Sequence, residues 1–214
     1  MVSKLPKKKI ILVDDHKLFR NGIKFILSDI PGIDIVGEAS NGIEFLELLK
    51  YITPDLVLMD ISMPEMNGVD ASKKALERMP NLSILVLTMF SDEQYYNTFI
   101  EIGVRGFILK ECDNNELKTA VQTIIDGGTY FSQELLLKLI RKKHTNDDVI
   151  QLTNREQEVL TLICKGKSNT QISDELHISQ RTVERHRANL LLKTESNNSI
   201  SLVIYAIKNG LVSV

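Results

Sequence analysis

Four short apolar runs in this sequence end in polar residues of a narrow kind. Ile10–Val13 runs into Asp14 and Asp15, Leu56–Met59 into Asp60, Ile84–Leu87 into Thr88, and Gly106–Leu109 into Lys110. Apolar runs of this length suit strands covered on both faces and are too short for helices. A polar residue that merely ends a buried strand is common, so Asp60 alone would say little. Parallel strands, however, bring their carboxyl ends to one sheet edge, where ligands sit in open α/β folds. That edge would carry three carboxylates, a hydroxyl and an ammonium. Clustered carboxylates repel one another unless a cation lies among them. Oxygen ligands of this sort suit Mg²⁺ together with water and a phosphate oxygen. Lys110 and Thr88 would then hold the other oxygens of a phosphoryl group on Asp60. Transfer of such a group depends mostly on positioning and charge neutralisation, which this set supplies.

The elements that must position these residues follow from periodicity. Lys17–Ser28 places Phe19, Ile23 and Ile26 on one helical stripe, and Ile33–Val36 reads as a strand. Asn41–Lys50 carries Ile43, Leu46 and Leu49 at helical spacing. Pro64 and Gly68 break the chain after Asp60, and Val69–Arg78 is a short helix closed by Pro80. Ser91–Gln94 is a capping-box pattern for a helix ended by Gly103. Asp113–Glu116 opens a further helix whose Leu117, Ala120, Val121 and Ile124 face a core. Five strands alternating with five helices predict a doubly wound parallel sheet.

The chain has 214 residues, enough for one or two domains. Its 43% hydrophobic and 25% charged content is ordinary for a soluble globular protein. No apolar run approaches the roughly 20 residues of a membrane span. The basic MVSKLPKKK start lacks a signal-type apolar stretch, so a cytoplasmic protein with reduced Cys112 and Cys164 is expected. Charge is uneven. Residues 1–130 hold 14 Lys/Arg against 19 Asp/Glu, whereas residues 131–214 hold 12 against 9. The two parts should therefore meet different partners, although an excess of three positive charges points only weakly to nucleic acid.

After residue 126 the pattern changes. GGTYFS is turn-like, Gln133–Lys143 repeats Leu135, Leu136, Leu137, Leu139 and Ile140 as a connecting helix, and residues 144–148 form a polar linker. From Gln151 onward the chain reads as helical. Thr153–Glu156 is a capping box before EVLTLICKG, and Ser168–Gln171 caps TQISDELH. After a tight turn at 177–180 comes a longer helix, Arg181–Lys193, then an amphipathic helix over Ser199–Asn209. Two helices joined by a short turn, the second longer and basic at its start, describe a helix-turn-helix. Val183 and Leu190 share its buried face, while Arg181, Arg185 and Ala188 share another.

The set Asp14-Asp15, Asp60, Thr88, Phe107 and Lys110, with MPEMNG after the aspartate, resembles the receiver domain of bacterial two-component response regulators. LTNREQEVL followed by SNTQISDELHISQRTVERHRANLLLK resembles the four-helix DNA-binding domain of LuxR/FixJ/NarL regulators. The first resemblance implies the flavodoxin-like strand order, with Asp60 as phosphoacceptor. It also implies Asp15, Asp60 and the backbone carbonyl of Ser62 as Mg²⁺ ligands, Asp14 acting through water, Thr88 as switch hydroxyl and Phe107 as switch aromatic. For Phe107 a plain core role stays open. Glu111 follows Lys110 where relatives often have proline, so no cis peptide is expected there.

The second resemblance implies that Glu184, Arg185 and Ala188 meet base edges in the major groove. Thr182, His186, Arg187 and Lys193 would sit nearer the phosphates or the domain core, with Arg181 on the same DNA-facing side. Glu184 stands where Lys is frequent in relatives; a carboxylate repels phosphate but accepts from cytosine N4. The implied partners are a sensor histidine kinase, promoter DNA and, when phosphorylated, a second copy, with RNA polymerase a further candidate. Leu202, Val203, Ala206 and Ile207 are candidate dimer contacts, with internal packing of all four the alternative.

The expected organisation is a five-stranded receiver over 7–126, a joint over 127–148 and an all-α four-helix helix-turn-helix domain over 149–214. A rival reading is a phosphohydrolase with an aspartate nucleophile. That class generally needs a second Asp two residues on, and Ser62 stands there. No G-x-x-x-x-G-K motif exists for a P-loop enzyme. A regulator with a degenerate receiver is disfavoured because each receiver site residue is present.

Overall fold

The computed structural model describes residues 7–89, 96–132, 150 and 152–212. The expected connecting helix at 133–143, the linker at 144–148 and the capping pattern at 91–94 lie outside the described residues.

The first part alternates as expected: β1 (Lys8–Val13), α1 (Lys17–Ser28), β2 (Ile33–Ala39), α2 (Gly42–Leu48), β3 (Leu56–Asp60) and α3 (Gly68–Arg78). Then follow β4 (Ser83–Thr88), α4 (Tyr96–Ile102), β5 (Gly106–Leu109), α5 (Asn114–Ile125) and β6 (Tyr130–Phe131). The strands form one sheet in the order β2-β1-β3-β4-β5-β6, and each neighbouring pair is parallel. β3 is buried along its whole length because both faces of the sheet are covered. Ile11, Val57, Met59, Val86 and Phe107 face α2, α3 and α4. Their alternate neighbours Ile10, Leu12, Leu58, Leu85 and Ile108 face α1 and α5. Period-two alternation thus fills two cores from the same five strands.

The sheet has six strands, one more than the sequence predicts. Residues 130–131 continue beyond the Gly127–Gly128 turn to pair with β5, placing Tyr130 opposite Gly106 and Phe131 opposite Phe107. Two residues give too little pattern to announce a strand. The glycine at 106 permits the approach, since a Cβ there would overlap the Tyr130 carbonyl oxygen.

The second part is helical: α6 (Asn154–Cys164), α7 (Asn169–Leu176), α8 (Gln180–Lys193) and α9 (Ser199–Lys208). Thr153 and Glu156 cap α6 reciprocally, and Ser168 and Gln171 do the same for α7. His177 ends α7 in the left-handed region (φ 53°), and Ser179 caps α8 by accepting from the Thr182 amide. These features make the sharp turn between the two helices. Val159, Leu160, Ile172, Val183, Leu190 and Leu202 form the core of this part.

Burial corrects one expectation. Leu202, Val203 and Ala206 lie inside this helical core and offer no surface for a second copy. Four helices enclose so small a core that α9 must spend its apolar stripe within it. Ile200 and Ile204 instead reach the sheet's own core on the α4 side.

Candidate metal centre and nucleic-acid interface

Parallel pairing brings the strand ends together as the spacing predicts. Lys110 Nζ lies 2.8 Å from Asp14 Oδ2 and 2.8 Å from Asp60 Oδ2. Asp60 is 2% exposed, and its Oδ1 accepts from the Ile61 amide at 2.8 Å. Asp14 Oδ1 accepts from the His16 amide at 2.8 Å. Arg20 Nη1 donates to the Asp14 carbonyl, fixing the turn out of β1. Thr88 is buried at the end of β4, where its hydroxyl donates to the Met89 carbonyl at 2.9 Å. The Lys110 ammonium also stands 5.1 Å from the Phe19 ring centroid, within cation–π range.

Charge is tuned by burial. Burial raises the pKa of the Asp60 carboxyl, and the neighbouring Asp14 adds to it; Lys110 only partly offsets them. Burial pulls Lys110 down, but Asp14 and Asp60 together hold it above the ordinary lysine value. The fit to a divalent cation rests on the donors. Oxygens of Asp14, Asp15 and Asp60 lie within 4.8 Å of one another, together with a nitrogen of His16. Asp14 Oδ2 and Asp60 Oδ2 are buried and share the one Lys110 ammonium. Buried carboxylate lone pairs so placed fit a small hard cation. Ser62, the remaining expected ligand, stands in the loop two residues after Asp60.

On α8, Arg181, Glu184, Arg185 and Ala188 are exposed along one side, as a base-reading face requires. Thr182 is half-buried and its hydroxyl pairs with Ser179 at 2.8 Å. His186 is half-buried, with a buried Nδ1 that has no hydrogen-bond partner. Arg187 donates to Asn169 Oδ1 at 2.9 Å and Ser199 Oγ at 2.8 Å, joining the starts of α7 and α9 to α8. Burial, with Arg105 nearby, pushes its pKa down to about 10. Lys193 Nζ donates to the buried Glu156 at 2.7 Å. For Arg187 and Lys193, then, the structure favours a role in the domain core over one at the phosphates.

Comparison with known proteins decides the family. Residues 10–122 match the model for the response regulator receiver domain, and residues 150–206 match that for bacterial regulatory proteins of the luxR family. This chain is a LuxR-family response regulator. The regulator is 36% identical to the transcriptional regulatory protein DegU of Brevibacillus brevis, over 97% of this chain and 96% of that one. It is 34% identical to the oxygen regulatory protein NreC of Staphylococcus carnosus, over 95% and 99%. Among solved structures, the RcsB response regulator of Salmonella typhimurium matches with TM-score 0.60 and 25% identity over 95% of this chain and 99% of that one. An RcsB–DNA complex matches with TM-score 0.58 and 26% identity over 94% and 98%. The regulator is thus a DNA-binding two-component response regulator with a flavodoxin-like sheet and a helical carboxy-terminal domain.

Two residues of its site escape sequence reasoning. His16 joins the acidic cluster, and its Nδ1 lies 2.8 Å from Asp15 Oδ1; adjacency to the aspartate pair was the available signal. Gly68 opens α3 directly against β3, where a Cβ would overlap the Asp60 carbonyl oxygen. In the sequence Gly68 reads only as a loop breaker.

Proposed function

We propose that the regulator is switched by phosphorylation of Asp60, received from a phosphohistidine on a sensor kinase, and binds promoter DNA as a dimer on an inverted repeat. The observation that carries this reading is the single ammonium of Lys110 standing 2.8 Å from both Asp14 and Asp60 at the open edge of the sheet. In the transfer, an Asp60 oxygen attacks phosphorus, a P–O bond forms, and the P–N bond breaks with the histidine nitrogen leaving. Asp14, Asp15, Asp60 and the Ser62 carbonyl would hold Mg²⁺, which when bound offsets the negative charge of the carboxylates and the phosphoryl oxygens. Lys110 and Thr88 take the phosphoryl oxygens, and Phe107 reports the change to the core. The regulator catalyses nothing beyond receiving and losing this phosphoryl group.

A donor must reach Asp60 from solvent. Beside the site, a cavity of about 700 Å³ opens between α1 and α5, lined by Phe19, Ile23, Ile26 and Leu117. Leu18, 85% exposed at the start of α1, stands at its rim. An apolar groove next to the acceptor suits the helices of a kinase that presents its histidine there. The domain limits 7–126, 127–148 and 149–214 follow from the same reading, with β6 at residues 130–131 carrying the receiver sheet into the joint. So does a cytoplasmic location, where the DNA lies; no described helix is long and apolar enough to cross a membrane.

The test is direct. With acetyl phosphate and Mg²⁺, intact-mass spectrometry should show one phosphoryl group on the wild type, none without Mg²⁺, and none on Asp60→Asn. Equal labelling of Asp60→Asn sinks the assignment. A small helix-turn-helix module buries only about 600–1,000 Å² on DNA and reads few bases, so two copies about one helical turn apart are expected. Light scattering that finds a monomer after phosphorylation, even on a two-half-site duplex, would rule the dimer out.

A further inference from the structure

Among the described residues Phe107 touches two aromatic neighbours, and each leads to a different place where the helical part rests on the sheet. The Phe99 ring of α4 meets it edge-on, with centroids 5.7 Å apart and planes at 85°. The next residue, Ile100, offers its carbonyl to Asn198 Nδ2 at 2.5 Å, and Asn198 caps α9. Two residues on, Ile200 is 1% exposed within the sheet's core. That is the first seat. The second is Phe131, whose ring lies 5.9 Å from Phe107 and tilted by 37°. Phe131 packs against the sheet's core on one side and the helical core around Val159 and Leu190 on the other.

We propose that Phe131 is a positioning residue that carries the state of Phe107 into the DNA-binding helices. This rests on the reading of Asp60 and Phe107 given above. Phe107 is wholly buried, so a change in its ring orientation has no solvent to turn into and must be absorbed by its neighbours. Among the described neighbours, β6 is able to give. It has two residues at the edge of the sheet, and its flanking hydrogen bonds are long, 3.2 Å from the Tyr130 amide to the Arg105 carbonyl and 3.3 Å from the Ser132 amide to the Phe107 carbonyl. Immediately before it, the backbones of Gly128 and Gly166 come together, with the site of a Gly128 Cβ only 2.5 Å from the Gly166 carbonyl oxygen. Movement of β6 therefore bears on the loop between α6 and α7. The positive charge of Arg105 also bears on Arg187 at this junction and lowers its pKa.

The contact does not act by masking. Glu184, Arg185 and Ala188 stay exposed while α9 rests on the sheet. What the contact fixes is the placement of the helical part, through Asn198, Ile200 and Phe131. A packed interface of this kind has two discrete arrangements rather than a continuum, which is how a small ring movement is amplified.

The experiment uses the full chain, wild type and with Phe131→Leu, which keeps an apolar side chain but removes the ring; Phe131→Ala serves as the stronger variant. Beryllium trifluoride with Mg²⁺ is the phosphoryl mimic, and the probe is a duplex selected by the wild-type chain from a random pool. Methyl spectra of Val86 and Leu109 report whether the mimic acts at Asp60. The ratio of DNA affinities with and without the mimic reports transmission. For the wild type that ratio should fall in the range of roughly 5–150-fold usual for coupled sites, and for Phe131→Leu it should fall to near one while Val86 and Leu109 respond as before. A merely structural role would weaken binding in both states by the same factor and leave the ratio unchanged; that result overturns the relay. So does a wild-type ratio of one when Val86 and Leu109 respond. Silence of both methyls in the wild type instead defeats the reading of Asp60. If Phe131→Ala does not fold, Phe131→Leu decides alone.

Discussion

The sheet edge around Asp60 and the outer face of α8 are built on opposite plans. At the sheet edge, Asp14, Asp60 and Thr88 are buried, each is held by backbone or by Lys110, and strand register leaves little freedom. On α8, Arg181, Glu184, Arg185 and Ala188 project from a regular helix into solvent, with their positions set only by the helix beneath. On the function proposed above, the difference follows from the ligand. A phosphoryl group is small and must be surrounded, whereas a base pair is reached across a groove and must be approached. One site should fail when its packing is disturbed, the other only when its own side chains are changed.

The largest effect should come from Gly68→Ala. The added methyl would meet the Asp60 carbonyl oxygen, and backbone on both sides has nowhere to retreat. A loss of about 3 kcal/mol or more is expected, read as a lowered thermal midpoint, with phosphorylation of Asp60 failing at temperatures where the chain still folds. Gly22→Ala is the control. It lies in α1 with nothing within 4 Å of its would-be Cβ, so the same change should stabilise by about 0.5–1 kcal/mol. If Gly68→Ala behaves like Gly22→Ala, the site is less rigidly packed than its burial implies.

A second contrast lies within α8. Arg187→Ala removes two hydrogen bonds that tie α7 and α9 to α8, and should cost about 2 kcal/mol of stability. Arg185→Ala should leave stability within about 0.5 kcal/mol, yet cost about 1–3 kcal/mol on the preferred duplex and flatten sequence preference. Denaturant unfolding beside binding to matched and scrambled duplexes separates them. Equal weakening on every duplex by Arg185→Ala would mean that it touches only phosphate.

These contrasts bear on what a sequence discloses. Asp14, Asp60, Thr88 and Lys110 were legible because each closes an apolar run, and parallel strands have one way to align such endings. Their cation needs followed from charge alone. Arg187 and Lys193 were not separable from Arg181 and Arg185 by type or spacing, because a basic residue on a short helix can serve either DNA or a neighbouring helix. Their partners Asn169, Ser199 and Glu156 lie 12 to 37 residues away, beyond any local pattern. β6 was hidden for a related reason. Its two residues are ordered by β5 and the helical core, not by their own propensity. The stripe on α9 left dimer contact and internal packing both open, because apolar excess on a helix does not say which neighbour consumes it.

The smallest effect, and the one that tests whether α8 is truly passive beneath its reading face, concerns pH. Glu156 Oε2 accepts from Lys193, the Thr153 amide and the Thr153 hydroxyl, with Lys193 at 2.7 Å the leading cause of a carboxyl pKa below the ordinary 4.5. A carboxyl whose folded pKa is depressed adds stability above its unfolded value and loses it as pH falls through the folded one. The helical part should therefore be at full strength at neutral pH and weaken progressively below about pH 4.5. Glu156→Gln keeps the shape but not the charge, so it should already be weaker at pH 7 and show a flatter decline over that acid range. DNA binding by Glu156→Gln at pH 7 should keep its sequence preference, because the pair lies at the base of α8 and away from Arg185. Denaturant midpoints of the two proteins that run parallel from pH 7 down to pH 3 would show that the Lys193 pair contributes nothing, and that Lys193 is free to serve phosphates after all.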